Sequence, residues 1–250
     1  MKKTAFINNV LQYAGPASMS ALYAKDFQLL VQDPSFQDPS IANSFLSSYP
    51  NTSITSETDI EKLFNQLNEH FSTLEVFISN DSFPAIHTPI SEGDIIGLEK
   101  TLQEILVRPY HFMKLLIPKL KKQQVKSNLI FITSSRTELP MKNGAIPDMA
   151  RAANNAFVKS LSIELAPYGI PVNAIAPNFL YSETYFPKSL YIENAIGKKY
   201  IETVVPVGRL GYQEELEELV LYLAEMKGSF HTGSIIPFNG GWPVAQNRPF

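Results

Sequence analysis

The chain has 250 residues, 44% hydrophobic, 11% aromatic and 18% charged, with a formal net charge of −3. That length suits one large domain with a sizeable core, and the composition excludes a disordered or membrane-embedded chain. The weak negative charge supplies no field for nucleic acid, and the lack of cysteine excludes a disulfide framework, a thiolate metal site and a cysteine nucleophile.

The apolar start is interrupted by Asn8 and Asn9 before signal-peptide length, and no apolar run reaches the roughly 20 residues that span a bilayer. The expectation is a cytoplasmic protein without a membrane partner. Thr4–Asn8 reads as a first strand, Ser18–Ala24 as a helix after Gly15 and Pro16, and Phe27–Val31 as a second strand. Ile41–Leu46 suggests a short helix and Ser53–Thr55 a third strand. Asp59–Phe71 carries Ile60, Leu63, Phe64, Leu67 and Phe71 at helical spacing behind Asp59 as N-cap. Leu74–Ser79 is a buried strand, Ile95–Lys122 a long helix strained by Pro109 and Pro118, and Asn128–Thr133 an apolar strand. A helix over Pro147–Tyr168, a strand at Val172–Ile175, a helix at Gln213–Glu225 and a strand at Ser234–Pro237 complete the series. This alternation predicts a single-domain α/β chain with a Rossmann-like, doubly wound parallel sheet. The irregular stretch Pro177–Ala195 follows a strand whose C-terminal end faces the ligand crevice of such a sheet. Lys119, Lys121, Lys122 and Lys126 read as a solvated helix end.

The first strand-to-helix turn, Asn8 to Gly15, keeps one glycine of the series a pyrophosphate needs, and Tyr13 puts a large ring into that space. Asp33 reads as a surface turn residue rather than a ribose-binding acid. Asp81 follows one strand and Ser134 ends another at the same sheet edge, with Arg151 on the next helix. Asp81 is expected to hold the guanidinium through charge-assisted hydrogen bonds. His70, His87, His111 and His231 are scattered as surface or core residues, so no metal site is expected, and no G-x-S-x-G elbow supports a serine hydrolase.

These residues resemble the short-chain dehydrogenase/reductase superfamily. The resemblance rests on Ser134 at a strand end, on Tyr168-Gly169-Ile170-Pro171-Val172-Asn173-Ala174-Ile175-Ala176-Pro177, and on Thr232-Gly233 with Asn239-Gly240-Gly241-Trp242. Within it the chain is similar to the halohydrin dehalogenases, through Tyr13 in place of a cofactor glycine, Ser79-Asn80-Asp81, Arg151 in place of a lysine, and the halide-loop-like run Pro177, Asn178, Phe179, Leu180, Tyr181, Ser182, Glu183, Tyr185, Phe186. The resemblance implies a homotetramer, no nucleotide cofactor, and closure of a haloalcohol to an epoxide, reversed by azide-type anions. It implies a pocket of Tyr13, Pro84, Pro177, Asn178, Phe179, Leu180, Tyr185 and Phe186, with Pro177 and Asn178 offering donors to a halide. It also implies a serine that holds the substrate oxygen, a tyrosine that takes its proton and an arginine that lowers the tyrosine pKa; Ser134 and Arg151 match the first and third. The tyrosine's place is Pro147, which suits the first turn of a helix but transfers no proton.

Three readings of Ser134, Asp81 and Arg151 stand. The set belongs to a lyase with another base, such as Tyr185, Tyr181 or a water; it binds a small anion or alcohol without turnover; or it is a structural remnant. The alternative functions are an NAD(P)-dependent oxidoreductase with an eroded motif and a non-catalytic binding or structural subunit.

Overall fold

A computed structural model describes residues 2–244. Seven strands, β1 (Thr4–Ile7), β2 (Gln28–Gln32), β3 (Ser53–Thr55), β4 (Val76–Ser79), β5 (Asn128–Ile132), β6 (Val172–Pro177) and β7 (Ile235–Phe238), form one sheet in the order β3-β2-β1-β4-β5-β6-β7. Every pair is parallel, with Phe6 opposite Leu30 on one side and Phe77 on the other. Strands β1, β4, β5 and β6 are buried throughout, as expected of parallel strands covered on both faces. The strand order reverses between β1 and β4, which opens a crevice at their C-terminal ends.

The helices are α1 (Gly15–Ala24), α2 (Pro39–Ser48), α3 (Ile60–His70), α4 (Ile95–Leu102), α5 (Arg108–Lys122), α6 (Ala145–Leu165), α7 (Lys188–Tyr191), α8 (Ala195–Val204) and α9 (Gln213–Ala224). Helices α1 and α9 cover one face through Ala17, Leu22, Leu216 and Val220. Helices α3, α5 and α6 cover the other through Leu63, Leu67, Leu116, Val158 and Leu161. Among the described residues no helix is long and apolar enough to cross a membrane.

Several boundaries depart from the sequence expectation for local reasons. Helix α1 starts at Gly15 because the turn folds tightly beneath it; a Cβ there would stand 2.4 Å from the Val10 carbonyl oxygen. Helix α2 is longer than expected, since the Asp38 carboxylate caps it and Pro39 suits its first turn. The expected 95–122 helix is divided by a π turn over Gln103–Val107, where the Arg108 amide reaches back to the Gln103 carbonyl. Pro109 has no N–H for the Ile105 carbonyl, and Asn154 of α6 donates Nδ2–H to that oxygen at 3.1 Å instead. The expected 147–168 helix starts earlier, at Ala145, and ends in a 3₁₀ turn, Ala166–Tyr168. The stretch expected to be irregular contains α7, and α8 follows it. Lys119 and Lys126 are not simply solvated: Lys119 docks its ammonium on the Phe71 carbonyl, and Lys126 on those of Met226 and Gly228.

Candidate functional site

A cavity of about 680 Å³ opens where the C-terminal ends of β5 and β6 meet the segments after β4 and β6. All eight pocket residues expected from the sequence line it: Tyr13, Pro84, Pro177, Asn178, Phe179, Leu180, Tyr185 and Phe186. Ser134, Pro147 and Arg151 line it too. The floor is buried, with Tyr13, Ser134, Arg151 and Leu180 each under a tenth exposed; the mouth is open at His87, Leu139 and Met141.

Ser134 follows β5 and caps the next turn. Its Oγ accepts the Arg136 amide hydrogen at 3.1 Å and donates to the Pro177 carbonyl at 3.2 Å. Asn155 of α6 fixes the same residue through its carbonyl, at 3.1 Å. Pro147 stands in the first turn of α6, where its missing N–H is no loss, and presents only its ring to the cavity.

Arg151 rises from α6 into the floor. One Nη donates to the backbone carbonyl of Asp81 at 3.0 Å and the other to the Tyr185 hydroxyl at 2.9 Å. The expected bond to the Asp81 carboxylate is therefore not made. That carboxylate turns away to Asn8 and Ser79, lies outside the cavity wall and is buried. Burial pushes the Asp81 carboxyl up to about 6, against the opposing hydrogen bonds from Ser79 and Asn8 and the charge of Arg151. Burial works against the Arg151 cation as well, but the neighbouring Tyr185 and Tyr13 oxygens raise its pKa above the ordinary arginine value.

Two tyrosines meet that guanidinium. The ring of Tyr13 packs edge-on against Tyr185 with centroids 4.9 Å apart, and Arg151 lies 5.7 Å from the Tyr13 ring centre and 5.9 Å from that of Tyr185. The Tyr13 hydroxyl faces the carbonyls of Thr133 and Pro177, and burial drives its pKa upward. The Tyr185 hydroxyl takes hydrogens from Arg151 and from the Phe83 amide at 3.1 Å, and donates to the Phe83 carbonyl at 2.8 Å. Tyr181, the other tyrosine expected as a base, points to Glu183 and does not line the cavity.

Of the expected halide donors, the Asn178 side-chain Nδ2 alone has no acceptor among the described residues. The Asn178 amide hydrogen goes to the Phe238 carbonyl at 3.0 Å, the Asn178 Oδ1 takes the Phe179 amide hydrogen, and Pro177 has none to offer. Phe179, at φ 57°, takes the left-handed conformation that turns the chain here.

A dinucleotide bound at the switch point would rest its pyrophosphate on the turn after β1, and the residues present do not fit it. The Leu11 amide donates to the Asp33 carboxylate at 3.0 Å, that of Asn9 to Gln32 Oε1 at 3.1 Å, and that of Ala17 to Gln213 Oε1 at 3.2 Å. Asn80 Nδ2 bonds the carbonyls of Asn9 and Gln12, while Gly15 and Gln12 close the turn on itself. Tyr13, held at φ 49°, drops its ring into the remaining space. Asp33 is thus not the surface turn residue expected, but a fully buried tie between β2 and this turn.

Sequence reasoning missed two groups in the wall. Arg136, paired with Asp148 of α6, lines the cavity mouth, and its Nη1 lies 3.5 Å from Nε2 of His87. Burial and the Arg136 charge lower the His87 pKa. Ser134 two residues before Arg136 was the only available signal, because neither segment is periodic. Among the described residues no group of three or more His, Cys, Asp or Glu is placed to hold a metal ion.

The family model described as enoyl-(acyl carrier protein) reductase matches residues 33–243. The chain is 28% identical over 191 residues to a tropinone reductase homolog of Arabidopsis thaliana, covering 76% of this chain and 71% of that protein. It is 26% identical over 254 residues to the NADPH-dependent reductase BacG of Bacillus subtilis, covering 96% and 97%. Among solved structures, a halohydrin dehalogenase (HheC) bound to ethyl (2S)-oxiran-2-ylacetate superposes with a TM-score of 0.93 at 27% identity, over 99% of this chain and 100% of that one. A chain described as a dehalogenation enzyme gives 0.91 at 28%, over 97% and 98%.

Proposed function

The chain belongs to the enoyl-(acyl carrier protein) reductase family of short-chain dehydrogenases and reductases, and from that premise we propose that it performs nucleotide-independent, halohydrin-dehalogenase-like lyase chemistry. The observation that carries this reading is the turn after β1, whose amide donors are taken by Asp33, Gln32 and Gln213 and whose free space is taken by Tyr13. The ligand is a small haloalcohol, an epoxide or an azide-type anion, held at Ser134 and Arg151. Ser134 Oγ–H turns from the Pro177 carbonyl to the substrate oxygen. Tyr185 replaces the tyrosine that Pro147 cannot be. As a phenolate it keeps two donors, Arg151 Nη2–H and the Phe83 amide. It takes the hydroxyl proton; the oxygen pair then forms the C–O bond to the neighbouring carbon as the carbon–halogen bond breaks, and halide leaves. In reverse, the Tyr185 hydroxyl returns the proton to the opening epoxide.

The reading is supported by the two dehalogenase structures that superpose over nearly the whole chain. It also extends to assembly in the cytoplasm as a homotetramer through α4, α5 and α6, whose Ile95, Ile96, Tyr110 and Ile163 are exposed. The test is halide release from vicinal bromo- and chloroalcohols by the native protein, Tyr185→Phe and Arg151→Ala, with thermal shifts in NADPH beside it. Release that both substitutions abolish supports the reading. A large NADPH shift without halide release overturns it in favour of a reductase.

A further inference from the structure

We propose that the mouth of the cavity is a carboxylate site centred on Arg136, so that the ligand is an organic acid with its anion there and its reacting oxygen at Ser134 and Arg151. This rests on the lyase reading only for the identity of the reacting end. The cavity wall carries two guanidinium groups, Arg136 and Arg151, and one imidazole, His87, and among the described residues no Asp or Glu lines it. Such a wall attracts a negative ligand and repels a positive one.

Arg136 is only partly used by the protein. Its Nε edge is taken by Asp148, the two side chains being 15% and 13% exposed. Its Nη2 is buried without an acceptor among the described residues, and its Nη1 has the long contact to His87. Nη2 is enclosed by the protein, whereas the long imidazole contact takes at most one of the two Nη1 hydrogens and leaves the other for a carboxylate oxygen. Asp148 already cancels one positive charge, so the cluster suits a monoanion better than a phosphate dianion. Imidazole Nε2 facing Arg136 must accept, which leaves Nδ1 of His87 as a further donor. Beyond these groups the mouth is apolar, through Leu139, Pro140, Met141 and Ile196, and covers the carbon chain between the two polar ends.

The experiment compares 4-chloro-3-hydroxybutanoate with its methyl ester, measuring binding by fluorescence of Trp242, the single tryptophan, which lines the cavity. Chloride release is followed in parallel. The native protein is expected to bind the acid about tenfold more tightly than the ester, and the ratio to fall to about one in Arg136→Gln/Asp148→Asn, which removes both charges together. Should that variant fail to fold, Arg136→Lys, which keeps the charge but loses the fork, is expected to lower the ratio about threefold or more. Ester bound as tightly as acid by the native protein, or a ratio unmoved in whichever variant folds, overturns the site. Preference for the acid without chloride release from either compound keeps the carboxylate site and overturns the lyase; chloride release without preference does the reverse.

Discussion

Tyr185 and Asp81 show how differently two polar groups beside one arginine behave. Tyr185 is bonded to Arg151 and touches the cavity, so Tyr185→Phe is expected to lower kcat/KM for halide release by about 10²–10⁴-fold with binding of the unreacted acid largely kept. A stopped assay over a substrate series that spans KM checks it, and a loss confined to KM contradicts the proton-transfer role. Asp81 is buried with its carboxyl raised from 3.8 to about 6, so between those values the folded chain holds a proton that the unfolded chain has released. Stability therefore falls as pH rises from about 4 to about 6 and stays lower above, by up to about 3 kcal/mol from this group. Urea unfolding at pH 4, 5, 6 and 7 is expected to show Asp81→Asn gaining on the native protein over that window. Sequence order placed Asp81 and Ser134 at one sheet edge with Arg151 on the next helix, and the eight pocket residues followed from the resemblance. It could not say that Asp81 would offer Arg151 its carbonyl rather than its carboxylate, nor that Arg136 and His87 would meet, because both depend on side-chain directions in aperiodic loops.

Segments with a strong repeat were legible and segments defined by a defect were not. The 59–71 helix and the β5 strand read directly from spacing and apolar run, whereas the π turn at Gln103–Val107 follows from a proline and a distant asparagine acting together. Asn154→Ala leaves the Ile105 carbonyl unpaired, at an expected cost of about 1–3 kcal/mol in denaturant unfolding. Pro109→Ala restores the amide that carbonyl lacks, so adding it to Asn154→Ala is expected to recover part of the loss. Strict additivity in that double-mutant cycle would rule out the compensation. Helices α7 and α8 were hidden for another reason: aromatic residues and prolines dominate the stretch before them, and the Asn194 cap of α8 is a single short-range signal.

The whole sheet, its parallel order and its two covered faces follow from regular alternation of apolar strands and helices, which is why the fold class was legible. Assembly is implied only by the resemblance, because exposed apolar residues do not name their partner. Ile163 is 76% exposed on α6, and Ile163→Arg is expected to convert a tetramer into smaller species by light scattering, with the circular dichroism spectrum kept. A native chain that is already monomeric contradicts that assembly. The closed turn after β1 has a longer consequence. Tyr13, Asp33, Asn80 and Gln213 lie on separate segments and each secures the turn from its own side. Exchanging Tyr13 for glycine alone opens a hole but leaves the amides bonded to the others, so the chain is weakened and a pyrophosphate still finds no donors. Opening the turn therefore takes several substitutions together, and each one made alone is expected to lower stability without exposing the donors.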